Sequence, residues 1–119
     1  MIVGVGVDIV DIARFERALE RTPKLAERLF TESERVLAAH SLAGRFAAKE
    51  ALIKAFGGSG SMTFHDMVVI KDTLGKPAFD LSGAAAEMAN SKGIESVHLS
   101  ISHDANAAVA FVVAEGSAA

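Results

Sequence analysis

Apolar positions along this chain change rhythm about halfway. The first half is spaced for helices after one opening strand, and the second half is broken into short β-branched runs. Ile2 to Val7 is β-branched, glycine-spaced and closed by Asp8, which predicts a buried strand. Ile12 to Arg21 is amphipathic and stops before Pro23, and Lys24 to Phe30 predicts a further short turn of helix. Thr31 and Glu34 fit a capping box opening a helix through Ala39, which leads with a bend into a central helix over Gly44 to Phe56. Gly57 to Ser61 reads as a loop. Met67 to Lys71 and Ala78 to Leu81 predict a hairpin about the turn Asp72 to Pro77. Ser82 opens a helix to about Lys92, ended by Gly93. Val97 to His103 and Ala107 to Val113 follow as strands joined by Asp104-Ala105-Asn106, and Gly116 to Ala119 is expected to fray. The class this predicts is α+β: a single small domain, residues 1–119, with a long central helix packed on an antiparallel sheet.

The central helix is the unusual element. Wound at about 100° per residue, it gathers Gly44, Ala47, Ala48, Ala51 and Ala55 on one arc and Leu42, Phe46, Leu52, Ile53 and Phe56 on another. No wide polar face is left, so the helix is expected to be buried on most sides. Arg45 and Lys49 nevertheless point into the bulky arc, with Glu50 and Lys54 beside it. Charges inside a protein need a partner or a ligand. Glu50 and Lys54 could be an ordinary pair four residues apart, but three cations and one carboxylate on a buried helix also suit a polyanion.

Composition narrows the possibilities. The net charge of −3 argues against a general nucleic-acid binder, so any anion recognition must be local. Without cysteine there is no disulfide, thiolate nucleophile or thiolate metal site. No run reaches the ~20 apolar residues of a membrane span. The opening apolar stretch lacks a basic flank and is interrupted by Asp8, unlike a signal peptide. The expected location is cytoplasmic.

Asp8 and Glu50 are the carboxylates that sit on strongly apolar elements. Asp8 either caps the next helix or binds something. If the first strand packs on the central helix, the two could converge on one cation, and two hard oxygen ligands without His or Cys suit Mg²⁺ held together with substrate phosphates. Arg45, Lys49 and Lys54 would then supply donors to those phosphates. Arg14, Arg17 and Arg21 share a face of the first helix, either as a solvated stripe or as a docking face for an acidic partner. His98 and His103, five apart in one strand, project from opposite faces and cannot share a metal. His103 is either an edge-of-core histidine or a phosphate contact, while His40 and His65 stand alone.

Three segments taken together, Val3-Gly4-Val5-Gly6-Val7-Asp8-Ile9-Val10, Gly44 to Ala55 and Leu99-Ser100-Ile101-Ser102-His103-Asp104, resemble the holo-acyl-carrier-protein synthases, the small bacterial branch of the 4'-phosphopantetheinyl transferases. The turn Gly75-Lys76-Pro77 fits as well. The resemblance implies that coenzyme A donates its phosphopantetheine arm to a serine of acyl carrier protein, leaving adenosine 3',5'-bisphosphate, in fatty-acid biosynthesis. It implies Asp8 and Glu50 at Mg²⁺, with Lys54 counted beside them as catalytic. Arg45, Lys49, Lys54 and His103 would bind coenzyme A, and Arg14, with Arg17 and Arg21 beside it, would meet the carrier protein. It also implies a homotrimer with sites at subunit interfaces. A non-catalytic module for a phosphorylated ligand and a Mg²⁺-dependent phosphohydrolase are the alternatives.

Overall fold

The computed structural model describes residues 1–117. Five strands and five α-helices follow one another along these residues: β1 (Ile2–Asp11), α1 (Ile12–Arg21), α2 (Lys24–Leu29), α3 (Glu32–Arg35), α4 (Ala39–Ala55), β2 (Met67–Lys71), β3 (Pro77–Leu81), α5 (Gly83–Ser91), β4 (Ile94–Asp104) and β5 (Ala107–Gly116). A single 3₁₀ turn, Phe64–Asp66, leads into β2. The α+β expectation, with a central helix on an antiparallel sheet, is the architecture found.

β5 is the middle strand of a three-stranded antiparallel sheet ordered β1-β5-β4, while β2 and β3 form a separate hairpin. α4 lies across β1 and β5. The glycines of β1 make that contact possible: a Cβ on Gly4 would stand 1.9 Å from the Ala55 carbonyl oxygen, and one on Gly6 1.9 Å from that of Ala51. Opposite them α4 presents Ala47, Ala48, Ala51 and Ala55, and β5 presents Ala108, Ala110, Val112 and Ala114, all buried. Backbones thus approach more closely than side chains larger than alanine would allow. As the winding of its sequence predicts, α4 is buried on most sides, with ten of its seventeen residues in the interior.

Several boundaries differ from the sequence expectation. β1 continues through Asp8 to Asp11, and it is Asp11 whose carboxylate accepts the Arg14 N–H at 2.9 Å and caps α1. Asp8 therefore caps nothing. The strand is also not buried on both faces: Val3, Val5, Val7 and Ile9 are 39–67 % exposed, because only the side carrying Gly4, Gly6 and Val10 meets α4. α3 is a single capped turn ending at Arg35, and α4 starts anew at Ala39 behind an extended Ala38. Gly116 is not frayed: it closes β5 and exchanges two backbone hydrogen bonds of 2.9 Å with Met1. Ala118 and Ala119 lie outside the described residues. Among the described residues no helix is long and apolar enough to cross a membrane.

Candidate active site: two clefts on either side of one helix

Arg45 and Glu50 stand five residues apart on α4, which is about 140° of rotation. Their side chains accordingly leave the helix toward different clefts.

The first cleft, of about 330 Å³, opens between β1, α1 and α4 and is lined by Asp8, Asp11, Arg14, Phe15, Phe46 and Glu50 among others. Asp8 reaches it from β1, the second polar side chain in a strand otherwise apolar up to Val10 being Asp11 at its end. Lys54 bridges the strand to the helix, donating to Asp8 Oδ1 at 3.1 Å and to the Val7 carbonyl at 3.0 Å. The pairing of Glu50 with Lys54 four residues on is thus replaced by one between Lys54 and Asp8. Glu50 is half-buried, and burial pushes its carboxyl above the usual carboxylate range; the charge of Asp8 pushes the same way and that of Lys54 opposes it. Two carboxylates lining one cleft, one of them partly buried, offer a seat for a cation, which would offset the penalty on Glu50. No group of three or more metal-ligating side chains gathers among the described residues, and a cation held by Asp8 and Glu50 would take its remaining ligands from substrate and water.

The second cleft, about 110 Å³, lies on the other side of α4 and is lined by Ser41, Gly44, Arg45, Lys71, Gly75, Pro77, Ile101 and His103. The His103 ring lies directly over Gly44, where a Cβ would come within 2.8 Å of its Nε2, and it stacks on His40 with ring centroids 4.1 Å apart. Partial desolvation holds the His103 imidazole below its ordinary value, with further lowering from His40 and Lys71, while a hydrogen bond it donates to the His40 backbone opposes them. Arg45 is 8 % exposed, its Nε is buried without a partner among the described residues, and burial lowers its proton affinity. A dry guanidinium, a lysine and an imidazole with no carboxylate among the lining residues make a seat for an anion.

Of the residues that sequence reading singled out, Asp8, Arg14 and Glu50 line the first cleft and Arg45 and His103 the second. Lys49 is a correction. It is 0 % exposed, and its three N–H groups are all used inside the protein, on Glu34 Oε1 at 2.7 Å, the Leu29 carbonyl at 2.8 Å and the Phe64 carbonyl at 3.1 Å. No donor is left for coenzyme A. Arg14 lines the first cleft, whereas Arg17 and Arg21 are exposed and line neither. His98 pairs with Glu115 at 3.1 Å, away from His103, and His65 meets the Glu27 carbonyl. Lys71 and His40 are the members that sequence reasoning missed. Lys71 ends a strand with nothing local to mark it, and His40 acquires meaning only from a ring sixty-three positions later.

Residues 4–112 match the family model of the 4'-phosphopantetheinyl transferase superfamily. The holo-[acyl-carrier-protein] synthase of Clavibacter michiganensis subsp. michiganensis is 57 % identical over 118 residues, covering 99 % of both chains. That of Clavibacter sepedonicus is 56 % identical over 119 residues and the full length of both. Among solved structures, the holo-[acyl-carrier-protein] synthase of Neisseria meningitidis superposes with a TM-score of 0.90 at 37 % identity, over 97 % of this chain and 99 % of that one. The Helicobacter pylori enzyme in complex with coenzyme A gives 0.83 at 40 % identity, over 93 % and 99 %. Similarity of sequence and of fold runs nearly end to end, across both clefts and the helix between them, and on that ground the chain belongs to the 4'-phosphopantetheinyl transferase superfamily.

Proposed function

We infer that the two clefts are halves of one kind of transferase site, and that the chain moves the 4'-phosphopantetheine group of coenzyme A onto a serine hydroxyl of acyl carrier protein, converting apo to holo carrier. The observation that carries this reading is the separation of an acidic cleft, Asp8 with Glu50, from a cationic one, Arg45 with Lys71 and His103, in a chain of this family. The serine oxygen forms a bond to the phosphorus bearing the pantetheine arm, and the bond from that phosphorus to the bridging oxygen breaks. Its electron pair leaves with adenosine 3',5'-bisphosphate, and the hydroxyl proton is lost to solvent or base. Charge therefore builds on the bridging oxygen.

Asp8 and Glu50 would hold a metal ion, for which Mg²⁺ is the natural occupant of a two-carboxylate site; bound there it would neutralise phosphate charge. Lys54, donating to Asp8 and half-exposed, orients that carboxylate and lends a positive charge at the cleft's edge. Arg45, Lys71 and His103 bind phosphate groups of coenzyme A. Arg14, already at the rim of the acidic cleft, meets the carrier, with Arg17 and Arg21 extending a basic surface toward an acidic partner.

One chain holds the two clefts apart, and it leaves Val3, Val5, Val7, Ile9 and Phe111 exposed on the open face of the sheet. Both features fit a homotrimer in which the acidic cleft of one subunit meets the cationic cleft of the next. The reaction is placed in the cytoplasm, at the service of fatty-acid synthesis. Mass spectrometry of apo carrier incubated with coenzyme A, Mg²⁺ and pure protein tests the reading: a gain of one phosphopantetheine is expected. Release of free phosphopantetheine would make the protein a hydrolase, and no reaction would make it a binding module.

A further inference from the structure

Inside the fold, two cations stand near one carboxylate and only one of them pairs with it. Glu34 from α3 is 2 % exposed and pairs with Lys49 at 2.7 Å. Its Oε1 also takes the Thr31 N–H at 3.1 Å and its Oε2 the Val69 N–H at 3.2 Å, so α3, α4 and β2 are joined through this one group. Arg45 lies one turn of α4 before Lys49. It feels the Glu34 charge as its favourable interaction, while its own charge disfavours that of Lys49. Yet Arg45 forms no ion pair with Glu34 among the described residues, and its buried Nε is left without a partner.

We propose that Lys49 is a positioning residue for phosphate binding: by occupying Glu34 it keeps that carboxylate from capturing the Arg45 guanidinium, which is thereby left for the phosphates of coenzyme A. The physical argument is one of supply. Glu34 is the single buried acid among the described residues and would attract either cation. Lys49 satisfies it at close range and adds two backbone carbonyls, whereas Arg45 carries a desolvated charge that a phosphate at the cleft could meet with charge-assisted hydrogen bonds. This rests on the reading of Arg45 as a phosphate ligand and assigns Lys49 a part that needs no contact with substrate.

The test is steady-state kinetics of the full-length protein, with KM for coenzyme A, KM for apo carrier and kcat followed separately, and folding checked by thermal melting in far-ultraviolet circular dichroism. Arg45→Gln controls the underlying reading: an unchanged KM for coenzyme A would remove Arg45 from the phosphate seat, and the inference with it. Given a raised value there, Lys49→Met is expected to raise KM for coenzyme A about tenfold while KM for carrier moves little, because the freed Glu34 turns to Arg45. Glu34→Gln combined with Lys49→Met is expected to return KM for coenzyme A to within about threefold of the native value. A residue acting by contact could not be rescued in that way, and a merely structural one would lower the active fraction without moving KM. A double variant with KM as poor as Lys49→Met, or a Lys49→Met protein with native KM, overturns the inference. Should Lys49→Met fail to fold, Glu34→Gln alone decides: with no carboxylate to compete, KM for coenzyme A should stay at or below the native value, and a rise would overturn the proposal.

Discussion

On the proposed reading of Glu50 as a metal ligand, proton, metal and stability are coupled at a single side chain. Burial and Asp8 raise its carboxyl above the ordinary value, so the folded protein holds that proton to higher pH than the unfolded chain does. The sign follows: stability falls as pH rises from the unfolded value toward the folded one, and at neutral pH the ionised group is destabilising. Glu50→Gln should therefore raise the melting temperature of the metal-free protein at pH 7 while removing Mg²⁺-dependent transfer; a lowered melting temperature would contradict it. If Glu50 holds a cation, that cation competes with the proton, and the acidic limb of the rate profile should move to lower pH as Mg²⁺ is increased. Lys49 and Glu34 show the opposite situation, a fully buried pair in which removing one partner costs about 3–5 kcal/mol. The sequence marked both residues, Lys49 as an anomalous charge and Glu34 as a capping-box acid, but not that they would find each other across fifteen positions.

At the scale of elements, legibility depended on whether the signal was local. The Thr31–Glu34 capping box, the Gly93 helix stop and the hairpin about Gly75 were readable because each is decided by a few neighbouring residues. The break at Ala38 was not, since that residue caps α4 through its backbone alone and nothing polar announces it. Nor was the capping role of Asp11, because Asp8 offered the same chemistry three residues earlier. The glycines of β1 were noticed but not understood; their reason is the carbonyl row of α4, which is fixed by tertiary packing. Gly6→Ala should cost about 3 kcal/mol or more, measured by urea unfolding, as its Cβ would meet backbone rather than a movable side chain. On α1, Arg14→Glu with Arg17→Glu should raise KM for carrier protein at least tenfold at low salt, with the difference shrinking as salt screens the surface, and leave KM for coenzyme A little changed. An unchanged and salt-insensitive KM for carrier would remove α1 from docking.

For the whole molecule, the division of the site between two sides of α4 makes a prediction that no single-chain arrangement shares. If the acidic cleft of one subunit serves the cationic cleft of another, mixtures of Asp8→Ala chains, inactive alone, and Arg45→Gln chains, weak for coenzyme A alone, should gain activity on co-refolding at low coenzyme A, since some interfaces would combine two intact halves. Arg14 and Asp8 line the same cleft, so mixing their variants should restore nothing. Light scattering showing a fully active monomer would refute the assembly altogether. The partition was written in the sequence as the five-residue step from Arg45 to Glu50, but without knowing which elements flank the helix the step could equally describe one broad site.

The pairing of β1 with β5 has a consequence for how the chain reaches this state. Ile2 lies opposite Glu115 and Asp11 opposite Ala107, so the sheet joins segments about a hundred residues apart in sequence. Contacts of that separation close late and fold slowly, on the millisecond to second scale or beyond. During synthesis the valine-rich β1 emerges long before β5 and must wait for about a hundred further residues before its partner strand exists. Throughout that wait the edge of the strand has no partner, and its Ile2–Val7 portion is a short, uncharged, β-prone run of the kind that pairs with other chains. The two glycines that allow α4 to approach are also the residues that weaken such stray pairing, since glycine is a poor former of stacked strands.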